Sequence, residues 1–176
     1  LFAAGAIPEA GLKNRCQNNL EDLSLINPSL LLQCQLIDVS LEESKIQDSI
    51  EAIVGLNSFG SLLWPSQGSL SLSASVLFTG GTLDLITPPL SEQLGLLKSL
   101  DSDVFSRVLI VEGASHFSPI RIESQKGNKK AEDLFQLGEE FVGVQPAEMQ
   151  NLLAEEIIDF LENHSSDAKF IKSGYR

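Results

Sequence analysis

"VLFTGGTLDLITPP" spans Val76–Pro89. An apolar run stops at Gly80-Gly81, a single carboxylate follows at Asp84, and Pro88-Pro89 closes the stretch. A short, near-continuous apolar run bounded by turn residues reads as a strand buried on both faces. A second stretch, "RVLIVEGASHFSPI" (Arg107–Ile120), repeats the design, with a strand ending at Gly113 and a histidine, His116, three residues later. Between them, "PLSEQLGLLKSL" places Leu90, Leu94 and Leu97 at helical spacing. Strand, helix, strand is the unit of a parallel sheet. The expected fold class is therefore α/β, a mostly parallel sheet with helices on both faces.

Working outward, "IEAIVGLN" (Ile50–Asn57) reads as another buried strand, joined to Ser75–Gly80 by a Ser- and Gly-rich loop. Upstream, Asn27 before Pro28 is a helix start, an N-cap with proline at the first helical position, and predicts a helix near 28–37. Residues 1–6, "LFAAGA", read as the tail of a packed helix, and an acidic loop follows at 40–49. Downstream lie a charged loop at 121–133 and a helix over 146–163. Leu152, Leu153, Glu156, Ile157, Phe160 and Leu161 form its expected buried face. The tail from His164 is expected to fray. One domain of 176 residues accommodates all of this.

A net charge of −12, with 12 Lys plus Arg against 24 Asp plus Glu, argues against nucleic acid and against docking on anionic membranes. No apolar run is long enough to span a bilayer. Nothing in the sequence assigns a compartment. The two cysteines, Cys16 and Cys34, either pair as one disulfide or remain buried thiols, and neither lies in a metal-binding or CxxC arrangement.

Ligands of open parallel sheets sit beyond the carboxyl ends of the strands. Asp84 and His116 both fall there, with room for one helix and one strand between them. If their strands are neighbours, the carboxylate can accept the imidazole Nδ1–H, fix its tautomer and stabilise the imidazolium formed when Nε2 takes a proton. Alone, Asp84 reads as an ordinary loop or capping residue and His116 as a structural histidine. Together, each past a strand and in this order, they favour a catalytic pair.

These residues resemble the C-terminal half of an α/β-hydrolase. In that family the acid follows a late strand in a G-x-x-D-x-x-x-P-like context, matched by Gly81 to Pro88, and the histidine follows the last strand in a G-x-x-H context, matched by Gly113 to His116. "LNPSLLLQCQ" and "GASHFSPI" are similar to bacterial predicted dienelactone hydrolases and platelet-activating-factor acetylhydrolase-like proteins. The resemblance implies a Ser–Asp–His triad in that chain order, a small ester or similar acyl substrate, and no metal or organic cofactor. The segment 12–45 would then be a cap or pocket wall. The G-x-S-x-G elbow that carries the nucleophile has no match here. "GLNSFG" is the nearest approach, with Leu56 where a small residue is needed two before Ser58. Neither cysteine lies in an elbow. "LFAAGA" suits the helix that follows an elbow, so the serine is expected just upstream of Leu1, and the chain alone is expected to be nearly inactive.

A second class of function is an interaction protein on half of a hydrolase fold, forming a homo-oligomer through an exposed sheet edge beside Ile50–Asn57. A phosphate site at "TGGTLD" is disfavoured, since no Walker-type or G-x-G-x-x-G pattern is present. Glu112 is an alternative acid at a strand end, His164 reads as solvated, Glu139-Glu140 as surface, and Trp64 as a core or loop anchor.

Overall fold

A computed structural model describes residues 1–23, 27–39, 46–101, 103–119, 146–163 and 170–174. Its centre is a parallel sheet in the order β1-β2-β3-β4, formed by Ala52–Leu56, Ser75–Gly81, Ser106–Val111 and Phe170–Gly174. The helices are α1 (Leu12–Leu23), α2 (Ser29–Cys34), α3 (Gln93–Ser99) and α4 (Pro146–Asn163). Pairing runs Ala52 to Ser75 through Leu56 to Thr79, then Val76 to Ser106 through Gly81 to Val111.

Alternation along the strands divides the core in two. Val76, Phe78 and Val108 point to one face and pack with Leu96 of α3, Trp64 and Leu70. Leu109 and Val111 point to the other and pack with Met149 and Leu153 of α4. Both faces are thus covered, which is why these strands are apolar at consecutive positions. Phe105 stacks on Phe160, and Arg107 pairs with Asp159, fixing α4 against β3.

Several elements depart from the sequence reading for local reasons. Pro88 and Pro89 delay the helix until Gln93, so Leu90 precedes it and is 78% exposed, while Gln93, Leu96 and Ser99 supply the buried face. On α4 the buried positions are Met149, Leu153, Glu156 and Phe160; Leu161 faces outward. The opening residues form one 3-10 turn, Phe2–Ala4, closed by the left-handed Gly5 rather than a longer helix. The polar stretch now seen as α1 has few apolar residues to advertise it. Its hold comes from Leu12 and Cys16 in the core and from Arg15, whose guanidinium donates to the carbonyls of Leu62 (2.7 Å), Ala10 (2.6 Å) and Glu9 (2.6 Å). Cys16 and Cys34 form a disulfide joining α1 to α2. Finally, the tail does not simply fray. Phe170–Gly174 pairs with Arg107–Val111, because β3 offers an unfilled backbone edge there. The charged loop 121–133, Glu139-Glu140 and His164 lie outside the described residues.

Candidate active site

Asp84 is set by its own turn. Its N–H donates to the Gly81 carbonyl at 3.1 Å. Its Oδ1 accepts the N–H groups of Ile86 (2.9 Å) and Thr87 (2.8 Å), the bonding expected of an aspartate that organises the turn it begins. Oδ2 is left facing the sheet end, where it accepts the Thr87 hydroxyl at 2.7 Å and the His116 Nδ1–H at 2.9 Å. The carboxylate is fully buried, while the His116 ring is 27% exposed. Burial is the largest single influence on the Asp84 carboxyl and pushes its pKa up. The hydrogen bonds from His116 and Thr87, with the His116 charge, outweigh it and hold the carboxyl below its ordinary range. Asp84 is therefore both the loop residue of the bland reading and a partner of His116.

The two loops are stitched by one backbone-to-side-chain and one backbone-to-backbone bond. Gly113 N–H donates to Thr82 Oγ1 at 2.8 Å, and Leu83 N–H donates to the Ala114 carbonyl at 3.0 Å. This approach needs Gly81, since a Cβ there would fall 2.0 Å from the Ala114 carbonyl oxygen. Phe117 stands edge-on to the His116 ring with centroids 5.4 Å apart. With Nδ1–H committed to Asp84, the neutral ring keeps its lone pair on Nε2, which has no hydrogen-bond partner among the described residues. Such a pair can accept a proton at Nε2 and return it.

Other candidates fall elsewhere. Ser58 packs its hydroxyl over β1, where a Cβ on Gly55 would lie 2.2 Å from Oγ. Glu112 is exposed. Trp64 is buried and donates its indole N–H to the Ile7 carbonyl at 2.9 Å, an anchoring role. Two neighbours of the pair escape sequence reasoning. Thr87 carried a signal, a hydroxyl three residues after an aspartate in a turn. Asn57, whose Nδ2 donates to the His116 carbonyl at 2.5 Å, carried none beyond its place at a strand end.

Fold and geometry define an α/β chain in which a buried aspartate is paired with a partly exposed histidine beyond the carboxyl ends of adjacent parallel strands. Comparison with protein-family models, curated proteins and solved structures finds no match for it. Among the described residues, no helix is long and apolar enough to cross a membrane.

Proposed function

We propose that this chain is the C-terminal part of a serine hydrolase of α/β-hydrolase type, resembling dienelactone hydrolase-like and platelet-activating-factor acetylhydrolase-like proteins and acting on carboxylic esters or similar acyl substrates. The observation that carries the reading is the 2.9 Å contact between His116 Nδ1 and the buried Asp84 carboxylate at the carboxyl end of the sheet. In the reaction His116 Nε2 takes the proton of a serine hydroxyl as its oxygen bonds to the ester carbonyl carbon. It then gives that proton to the departing alcohol oxygen, and repeats the cycle with water to release the acid. Asp84 remains ionised, orients the ring and stabilises the imidazolium. Leu83, Leu85 and Phe117, exposed on the loops that carry the pair, offer apolar surface to the substrate. The reading calls for no metal or organic cofactor.

The serine is assigned to a polypeptide segment preceding Leu1. The free side of β1 among the described residues leaves room for a strand of such a segment. The test is to read the coding sequence upstream of Leu1 for a strand followed by G-x-S-x-G, and to express that segment with residues 1–176. Hydrolysis of a p-nitrophenyl ester by the longer chain is expected to fall by about 10⁴ in Asp84→Asn and by about 10⁶ in His116→Ala. Full turnover in His116→Ala ends the proposal, and turnover by residues 1–176 alone that is lost in Ser58→Ala moves the nucleophile to Ser58.

The one-sided pairing of β1 among the described residues also favours a second reading, an interaction protein that self-associates through this edge.

A further inference from the structure

β1 and β3 are not neighbours, because β2 lies between them. Even so, Asn57, the residue after β1, reaches the loop after β3 and donates to the His116 carbonyl at 2.5 Å. Between them β2 ends in Gly80-Gly81. The amide starts from a fixed base, since Asn57 N–H donates to the Thr79 carbonyl of β2 at 2.8 Å.

Asn57 has φ 49, a conformation that asparagine tolerates and glycine adopts freely. Its backbone therefore explains an asparagine or a glycine equally. The residue is 7% exposed, and its side-chain Oδ1 has no hydrogen-bond partner among the described residues. Burying an amide with one end unsatisfied is unfavourable. Glycine would avoid that cost, so stability does not account for the side chain; its contact with His116 does.

The turn beyond Asn57 is held on two sides. Glu92, fully buried, accepts Gly60 N–H (2.9 Å), Ser61 N–H (3.1 Å) and the Ser61 hydroxyl (2.8 Å), along with the side-chain amide of Asn27. Its neighbour Gln93 donates to the Ser58 carbonyl at 2.7 Å.

We infer that Asn57 is a positioning residue for His116, fixing the histidine's main chain from across β2, with Glu92 and Gln93 holding the turn that follows it. Asp84 fixes the ring at Nδ1 and Asn57 fixes the backbone behind it. With both in place Nε2 aims in one direction, as a proton-transfer group requires. The use made of that ring rests on the hydrolase proposal, but the positioning itself does not.

The test is nuclear magnetic resonance on the ¹⁵N-labelled chain of residues 1–176. Asn57→Gly keeps the backbone conformation and removes the amide. Asn57→Asp keeps the shape and turns an acceptor toward the carbonyl. In the wild type His116 is expected as the Nδ1–H tautomer, with that proton slow to exchange with water. In both variants its exchange is expected to quicken about two- to tenfold, the effect of one lost hydrogen bond. The Asn57→Gly chain should still melt cooperatively. Unchanged exchange in both variants overturns the inference. A measurement on the wild type guards against variants that fail to fold: protected Asn57 carboxamide protons support the contact, and freely exchanging ones overturn it. Absence of ester turnover from the longer chain would remove the hydrolase proposal without altering these exchange rates.

Discussion

Asp84 divides its two oxygens between two tasks. Oδ1 shapes the turn through Ile86 and Thr87, and Oδ2 meets the Thr87 hydroxyl and His116. Because the folded chain lowers this carboxyl from its ordinary 3.8, the unfolded state binds the proton more readily. The stability Asp84 contributes is therefore fully present above that ordinary value and is lost as pH falls through the lower folded one. Asp84→Asn keeps the shape but places an NH2 among donors, and is expected to destabilise by about 1.5–3 kcal/mol at pH 7, the range for hydrogen bonds to a charged group. Urea titrations of both chains from pH 7 downward check this. The gap between them should narrow only below about pH 4, and a gap constant across the range would show that ionised Asp84 is not the stabilising form. Asp84 and His116 were legible because the residue types and their places past two apolar runs are sequence properties. Asn57 and Thr87 were not, since what they contribute depends on where β1 and the Asp84 turn arrive in space.

Elements that met a one-dimensional pattern were readable. Ser75–Gly81 and Ser106–Val111 are buried on both faces, and their continuous apolar runs say so. α1 and β4 were opaque for the converse reason. α1 is held by a disulfide and by an arginine bonded to three carbonyls, and β4 by backbone pairing, none of which leaves periodic hydrophobicity. Helix α3 shifted because two prolines moved its start, and with it the face that packs. Two glycines test how tightly these elements are set. At Gly81, where β2 meets the His116 loop, a methyl would collide with the Ala114 backbone at 2.0 Å, and backbone held by two stitching bonds cannot step aside. Gly81→Ala is expected to lose about 3 kcal/mol, the upper end for overpacking. At Gly95, inside α3, the nearest neighbour would be Ser61 Cβ at 3.9 Å, ordinary contact. Gly95→Ala should gain about 0.5–1 kcal/mol through helix propensity. Thermal melts of the two variants should move in opposite directions, and parallel losses would mean that α3 does not pack as described.

At the scale of the molecule, the sheet has two edge strands among the described residues, β1 and β4, each paired on one side only. The edge of β1 is that of the strand read from Ile50–Asn57. Asn57 N–H donates to Thr79 and Glu51 O accepts from Ser75 N–H, so alternate residues, 51, 53, 55 and 57, turn their groups toward β2. Ala52, Val54 and Leu56 consequently point their N–H groups away from it. Such a row is a template for a further strand, whether from a preceding segment of the polypeptide or from a second copy. Residues 1–176 in isolation are expected to use a second copy and to sediment as a dimer or larger at micromolar concentration. Val54→Pro removes an outward N–H while sparing the ladder to β2, and proline is tolerated on an edge of this kind. The variant should sediment as a monomer with its fold intact by circular dichroism. Joining the proposed upstream strand should abolish association as well, since it would cover the same edge. A wild-type chain that remains monomeric at these concentrations would remove the interaction reading and leave the edge to a strand of the same polypeptide.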